Sequence, residues 1–209
     1  MSTSIELGLK HEVPVFPLGS VLFPQGVLPL RIFETRYTDM VRECMRENRP
    51  FGVCLITQGN EVGVPADHEM VGCLARIVDF DMEQQGVLQI RTVGEQRFSI
   101  IEKRVDSQGL IRASVQLIAN DVKLEIPDEF EACASLAKQL VQEIQSKFDG
   151  DPEQVIAKPY EFELAGWVAN RLCEVLPIDS KAKQKLMELQ EPLSRLSLVN
   201  QFLENKQVF

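Results

Sequence analysis

The sequence lacks several features that enzymes, metal proteins and membrane proteins commonly need. Its 209 residues include only two histidines, and none of its five cysteines forms a C-x-x-C pair. The usual zinc motifs need closely spaced Cys or His ligands and are therefore excluded. No apolar run reaches the roughly 18 residues of a membrane-spanning helix, and Met1–Lys10 lacks the features of a secretory signal. We expect no cofactor, no metal and no membrane partner, and we expect a cytoplasmic protein.

Catalytic motifs are also missing. Ser20 follows a glycine but is not part of a G-x-S-x-G turn, and the glycine-containing stretch 59–63 (GNEVG) has an acidic residue and no lysine where a phosphate would bind. His68 and Cys73 could form a nucleophilic pair. Cys73, however, lies in the strand-like run VGCLA, where a buried structural thiol is the favoured interpretation. The sequence therefore predicts a protein that is not an enzyme.

The charge of the chain is negative and evenly spread. The net charge is -9, with 13 basic and 17 acidic residues in 1–126, and 9 basic and 14 acidic residues in 127–209. Such a field repels polyanions, which disfavours nucleic acid as a partner. The cysteines are odd in number and widely spaced, which favours free thiols in a reducing compartment.

The first 126 residues have the apolar alternation of strands. Residues 111–117 alternate with a period of two, and residues 87–93 lead through Gly94-Glu95 into 97–100, which predicts a hairpin. Residues 79–83 alternate acidic with apolar side chains, which favours a solvated strand face over a calcium loop. Six or more short strands need protected edges, so a closed or nearly closed barrel is expected.

One helix interrupts these strands. An apolar stripe with helical spacing begins at Phe33 and includes Tyr37 and Met40, which are expected to be core contacts. Glu34 or Thr35 is placed to cap its start, and Asn48 and the residues that follow end it.

The chain becomes helical after residue 126. Helices are predicted over about 127–147, 159–175, 179–189 and 192–205, with Trp167 filling their core. The fold class is α+β: a β-barrel subdomain over 1–126 with one inserted helix, followed by a helical bundle over 127–209. The short connection at 119–127 predicts that the two pack together as one domain.

The most unusual segment is rich in both proline and apolar residues: VPVFPLGSVLFPQGVLPLRIFETRYTDMV, beginning at Val13. Prolines at this frequency exclude an ordinary central strand throughout. One interpretation is a rigid, buried segment that closes the barrel. The other is an exposed apolar surface for extended polypeptide.

The same segment resembles the N-terminal, substrate-binding domain of Lon protease. The resemblance rests on VFPL at Val15, VLFP at Val21, LPL at Leu28 and IFE at Ile32, and on later motifs in the same order. These later motifs are VGCLA from 71, Val93-Gly94 with Arg97-Phe98, Trp167, Leu176-Pro177, and Lys183-Gln184 with 186–189. The motifs span about residues 12–205. Thr35 stands where many relatives have proline.

This resemblance implies a PUA-like barrel followed by a helical bundle. Lon continues into an ATPase and a Ser–Lys peptidase, and the sequence contains neither motif, so it is similar to a free-standing, non-catalytic bacterial Lon-domain protein. The implied role is binding of unfolded polypeptide or a partner protein, in protein quality control. The alternative is RNA or small-ligand binding through the barrel, and homodimer formation is left open. The candidate binding residues are Phe16, Leu18, Phe23, Arg31, Glu34 and Arg36.

Overall fold

The fold combines a mixed β-sheet with helices. The computed structural model describes residues 11–84, 86–147 and 151–207. Within these residues the strands are β1 (His11–Leu18), β2 (Val27–Ile32), β3 (Phe51–Gln58), β4 (Asp67–Gln84), β5 (Val87–Val105) and β6 (Ile111–Leu117). The helices are α1 (Thr35–Glu47), α2 (Glu131–Lys147), α3 (Ala165–Val175), α4 (Ser180–Glu188) and α5 (Pro192–Asn205). The expected α+β class is confirmed.

Contacts divide the chain into two compact units. One comprises Met1–Pro24 with Leu28–Ala119, and the other comprises Gln25–Val27 with Asn120–Phe209. The first unit contains nearly all of the sheet together with α1, and the second contains α2 to α5. The expected subdomains 1–126 and 127–209, packed as one domain, stay a prediction.

The sheet of the first unit has the strand order β2-β5-β4-β3-β1-β6, and β5 also pairs with β6. This additional pairing joins β5, β4, β3, β1 and β6 into a ring of five strands. Strand β1 runs parallel to β3, while the β1–β6, β3–β4, β4–β5 and β5–β6 pairs are antiparallel. The predicted alternation in residues 111–117 is observed in β6, whose odd-numbered residues are buried.

The hairpin expected at Gly94-Glu95 is not observed. Strand β5 passes straight through these residues, and the chain reverses between β4 and β5 instead, near Gly86. Gly94 serves a close backbone approach, because a Cβ atom at this position would lie 2.2 Å from the carbonyl oxygen of Phe23. The β4–β5 register shifts between Cys73 and Ala75, opposite this glycine. A strand glycine of this kind marks an irregularity in pairing and not a turn.

The second unit follows the predicted pattern with two changes. The first helix begins as a 3-10 turn at Asp128–Phe130 before α2. Helix α3 begins at Ala165, not near Pro159. The residues before α3 include Phe162, whose ring packs edge-on against Trp167 with centroids 5.0 Å apart. Trp167 is buried, as predicted.

Candidate functional site

Three of the expected binding residues lie in the core. Phe16, Leu18 and Phe23 expose 7%, 4% and 0% of their surface. Phe16 lies in β1, which is paired on both sides, and its ring stacks on Tyr37 with centroids 4.0 Å apart. At these three positions the proline-rich segment is therefore buried, as the first of the two interpretations expects. The side chains of Phe16, Leu18 and Phe23 are not available to a ligand in this conformation.

The other three expected residues surround the start of α1. Arg36 is buried, forms an ion pair with Glu34 at 3.0 Å and donates a hydrogen bond to the carbonyl of Gly109 at 3.1 Å. Its guanidinium also lies over the Tyr37 ring. Glu34 is the N-cap residue by its backbone, but its side chain does not cap the helix. These contacts indicate a structural role for Glu34 and Arg36, whereas Arg31 is exposed.

Large exposed apolar side chains come together at another place in the first unit. Phe33, Met45, Phe80 and Met82 expose 55%, 38%, 58% and 63% of their surface. With their neighbours they line an apolar groove of about 550 Å³. Its lining residues are Phe33, Thr35, Thr38, Val41, Arg42, Met45, Phe80, Met82, Gly86, Val87 and Leu88. Phe33 was expected in the core, and its exposure corrects that expectation.

The groove exists because the β4–β5 hairpin is longer than the helix that covers it. Strand β4 has 18 residues and α1 has 13, which correspond to about 60 Å and about 20 Å. Phe80 lies opposite Ile90, so both side chains are on the same face of the hairpin. Ile90 is 3% exposed and belongs to the core cluster that includes α1 residues, whereas Phe80 extends beyond it.

Polar contacts hold α1, one wall of the groove, against the sheet. Glu43 of α1 accepts two hydrogen bonds from Arg112 of β6, at 3.0 and 2.7 Å, and these lower the pKa of Glu43. Asn48 ends α1 in the left-handed conformation, as expected for a C-terminal cap. Arg76 of β4 donates to the carbonyl of Asn48 at 3.2 Å and forms an ion pair with Glu95. The Glu43–Arg112 pair therefore ties α1 to β6, and the hydrogen bond from Arg76 to Asn48 ties the end of α1 to β4.

A smaller, more polar cavity continues the groove toward the end of α1. Its volume is about 220 Å³, and it shares Met45 and Phe80 with the apolar groove. Arg49, Arg76 and Asp79 are among its lining residues. The continuous surface thus joins an apolar floor to a charged end, an arrangement suited to binding a partner.

The His68–Cys73 pair considered from the sequence has a structural explanation. The Nδ1 atom of His68 lies 2.8 Å from the carbonyl oxygen of Glu69, and Nε2 lies 3.3 Å from the ammonium of Lys103. Burial lowers the pKa of His68. Cys73 is 1% exposed, and its thiol donates to the carbonyl of Leu74. Both side chains are thus part of the packed sheet.

The sequence interpretation did not identify Phe80 and Met82 as site residues. Their alternation with Asp79 and Asp81 predicts a strand with one apolar and one acidic face, but not which of these faces is covered by other elements. The signal that could have identified Phe80 and Met82 is the alternation of large apolar residues with acids at the end of a long hairpin. Across the described ranges, no helix is both long and apolar enough to cross a bilayer, and no cluster of three or more potential metal ligands occurs.

Comparison with known proteins gives the family. The model of the ATP-dependent protease La (LON) substrate-binding domain matches residues 12–205. The chain belongs to this family. The solved Lon N-terminal domain protein from Xanthomonas campestris is 32% identical with a TM-score of 0.73, and the match covers 90% of this chain and 96% of that one.

Two further relatives are much longer than this Lon-family chain. Lon protease 1 of Bdellovibrio bacteriovorus is 32% identical over 85% of this chain, which corresponds to 22% of that protease. Protein cereblon of Gallus gallus is 31% identical over 53% of this chain and 24% of its own length. The chain thus spans less than a quarter of the length of each of these two curated relatives.

Proposed function

We propose that the chain is a non-catalytic module that binds unfolded polypeptide or a partner protein through the apolar groove. The observation that carries this proposal is the cluster of exposed Phe33, Met45, Phe80 and Met82 beside a 550 Å³ groove. Exposed apolar clusters of this kind mark interaction surfaces. Methionine side chains adapt to varied apolar partners, as promiscuous binding requires. Membership of a substrate-binding domain family supports the same role.

The finer features of the sequence prediction belong to the same proposal. We propose that the ring of five strands is a PUA-like barrel, which the closing β5–β6 pairing supports. Five cysteines without a disulfide support a cytoplasmic location, where protein quality control would be the setting. Arg31, which is exposed and directly precedes Ile32 and Phe33, remains the one basic candidate for a ligand contact from the original six residues.

The proposal is tested by titrating the protein into labelled peptides of graded apolar content and recording fluorescence anisotropy. Binding should strengthen with apolar content and reach at least the micromolar range. The double variant Phe80→Ser, Met82→Ser should weaken binding about tenfold or more, because each substitution removes roughly 1–2 kcal/mol of apolar contact. Both side chains are more than half exposed, so the fold should be unaffected.

Val64→Ser is the matched control. Val64 is 81% exposed in the same unit and does not line the groove. It should leave peptide binding unchanged. If no peptide in the panel binds in the micromolar range, or if Val64→Ser weakens binding as much as the double variant, the groove is not the binding site.

The RNA alternative is separated from the proposal by salt. Binding to phosphates weakens steeply with ionic strength because counterions are released, whereas docking of apolar side chains does not. We expect no measurable binding of a labelled single-stranded RNA at physiological salt. A tight, strongly salt-dependent RNA complex would favour the alternative.

A further inference from the structure

The β4 strand has an open edge beside the apolar groove. Its pairing with β3 runs from Asp67 to Ala75, whereas its pairing with β5 continues to Gln84. Within the described part of the chain, residues 76–82 thus have a strand on one side only. An open edge of this kind is able to pair with an added strand.

Carboxylates of the strand itself occupy the N–H groups of this edge. The N–H of Phe80 donates to Asp79 Oδ1 at 3.0 Å, and the N–H of Met82 donates to Asp81 Oδ1 at 2.7 Å. Charged side chains at an edge discourage indiscriminate strand pairing. The two aspartates therefore satisfy the hydrogen bonds of these N–H groups when no segment is bound. A bound segment could replace them with its own carbonyl acceptors.

The two faces of this edge differ in chemistry. Side chains alternate along a strand, so Phe80 and Met82 lie on one face and Asp79 and Asp81 on the other. The Asp79 side chain is 63% exposed and forms a long ion pair with Arg91 of β5 at 3.7 Å. A strand added here would place every second side chain beside the apolar groove and the others beside the two carboxylates.

We propose that residues 78–82 of β4 accept an extended polypeptide segment as an additional strand, and that the preferred segment alternates apolar residues with Lys or Arg. This rests on the proposed function and specifies its substrate class. Carbonyl groups of the segment would accept hydrogen bonds from the N–H groups of Phe80 and Met82. The released carboxylates of Asp79 and Asp81 would pair with the basic side chains, and the apolar side chains would enter the groove.

Charge argues against a second copy of this chain as the occupant. Antiparallel pairing of two such edges about Phe80 would place Asp79 of one copy opposite Asp81 of the other. Like charges directly opposite each other in a sheet are destabilising. The net charge of -9 adds a general repulsion between copies. A basic segment has neither penalty.

The first experiment compares labelled peptides, each about seven residues long, which is the length of a typical strand. One alternates lysine with leucine or phenylalanine, a second replaces lysine by glutamate, and a third replaces it by serine. A fourth repeats the lysine peptide with N-methylated leucines and phenylalanines. The lysine peptide should bind about tenfold more tightly than the serine peptide, since two weak ion pairs together contribute about that factor. The glutamate and N-methylated peptides should bind more weakly still.

The second experiment tests the carboxylates in the whole chain. The double variant Asp79→Asn, Asp81→Asn keeps a side-chain oxygen for each backbone N–H but removes both charges. It should weaken binding of the lysine peptide about tenfold and leave the serine peptide unchanged. Glu102→Gln is the control, because Glu102 is an exposed acid on β5 away from this edge. It should change neither affinity.

The possible outcomes separate this inference from the function on which it rests. If all apolar peptides bind equally, whatever their charge or N-methylation, the groove binds polypeptide but not as an added basic strand, and the inference is overturned alone. If no peptide binds, both fail. Dimerisation measured by analytical ultracentrifugation, lost in the Phe80→Ser, Met82→Ser variant, would identify a second copy as the occupant and overturn the inference.

Discussion

The carboxylate of Glu43 accepts hydrogen bonds from two guanidinium nitrogens of Arg112, at 3.0 and 2.7 Å. The pair connects α1 to β6, and each side chain is only 20% exposed. Arg112 also donates to Asp106 at 3.2 Å. A bidentate, partly buried pair of this kind is stronger than a typical surface ion pair. It fixes the helix that forms one wall of the apolar groove.

Glu43→Gln should lower the free energy of unfolding by about 1–2 kcal/mol near neutral pH, because a charge-assisted pair is lost. The hydrogen bonds from Arg112 lower the pKa of Glu43 from its ordinary value of 4.5. The stabilisation is therefore present above about pH 4.5 and is lost as the pH falls below that value. Urea unfolding of both proteins near pH 7 and near pH 3 should show the difference shrinking in acid.

The Arg104–Glu12 pair provides the control. It has similar distances, 3.0 and 3.1 Å, but its side chains are 58% and 50% exposed. Glu12→Gln should therefore change the free energy of unfolding by less than about 0.5 kcal/mol. Equal effects of the two substitutions would contradict the role given to the Glu43 pair.

Two glycines make room for Phe98 in the sheet, and they should respond differently to alanine. The three atoms nearest to a Cβ at Gly52 would all belong to the Phe98 ring, the first at 2.7 Å. A Cβ at Gly72 would lie 2.7 Å from the same ring and also 2.3 Å from the carbonyl oxygen of Val53. Gly52→Ala should cost about 1–3 kcal/mol, and Gly72→Ala more than that, since the backbone must move.

Phe98→Leu distinguishes the two cases. The double variant Phe98→Leu, Gly52→Ala should have a free energy of unfolding about 1 kcal/mol higher than the sum of the two single effects predicts, because the shorter leucine removes the clash with the new Cβ. The double variant Phe98→Leu, Gly72→Ala should recover much less of this free energy, because the clash between the new Cβ and the Val53 carbonyl oxygen remains. Chemical denaturation of the single and double variants measures both couplings. Equal recovery at the two positions would show that the Val53 contact is unimportant.

Local signals predicted much of the fold. Asn48 ends α1 because it adopts the left-handed conformation, and Pro192 begins α5 because its missing N–H needs no acceptor there. The alternation in β6 follows from one buried and one exposed face. Each of these signals is contained in a few neighbouring residues, which explains why it could be interpreted without a structure.

Non-local packing explains what was missed. Gly94 suggests a turn because glycine is common in turns. In the structure it allows a close approach to the backbone of Phe23, a residue about seventy positions earlier in the chain. Phe33 fits the spacing of the apolar stripe of α1, but it precedes the helix and its side chain is exposed outside the core. Phe80 is exposed because the β4–β5 hairpin extends beyond the end of α1. Whether an apolar residue is covered depends on the relative lengths of two elements, which periodicity alone does not give.

His68 should make the stability of the protein depend on pH. Burial is the largest effect that lowers its pKa below 6.5, and the nearby Lys103 ammonium acts in the same direction, while Asp67 and Glu69 oppose it. The unfolded state therefore binds more protons, and the free energy of unfolding should fall as the pH drops through about 6.5. His68→Gln should remove this part of the dependence in urea unfolding at several pH values. An unchanged slope would contradict the assignment.

The five thiols should be unreactive until the protein unfolds. The side chains of Cys44, Cys54, Cys73, Cys133 and Cys173 are all buried and form no disulfide. Burial raises the pKa of Cys44, Cys54 and Cys173 to about 12 and that of Cys133 to about 11, so almost none of these four is present as the reactive thiolate near neutral pH. A chromogenic disulfide reagent should label almost no thiol in the native protein and all five in denaturant. Rapid native labelling of one cysteine, located by mass spectrometry, would show that its surroundings open.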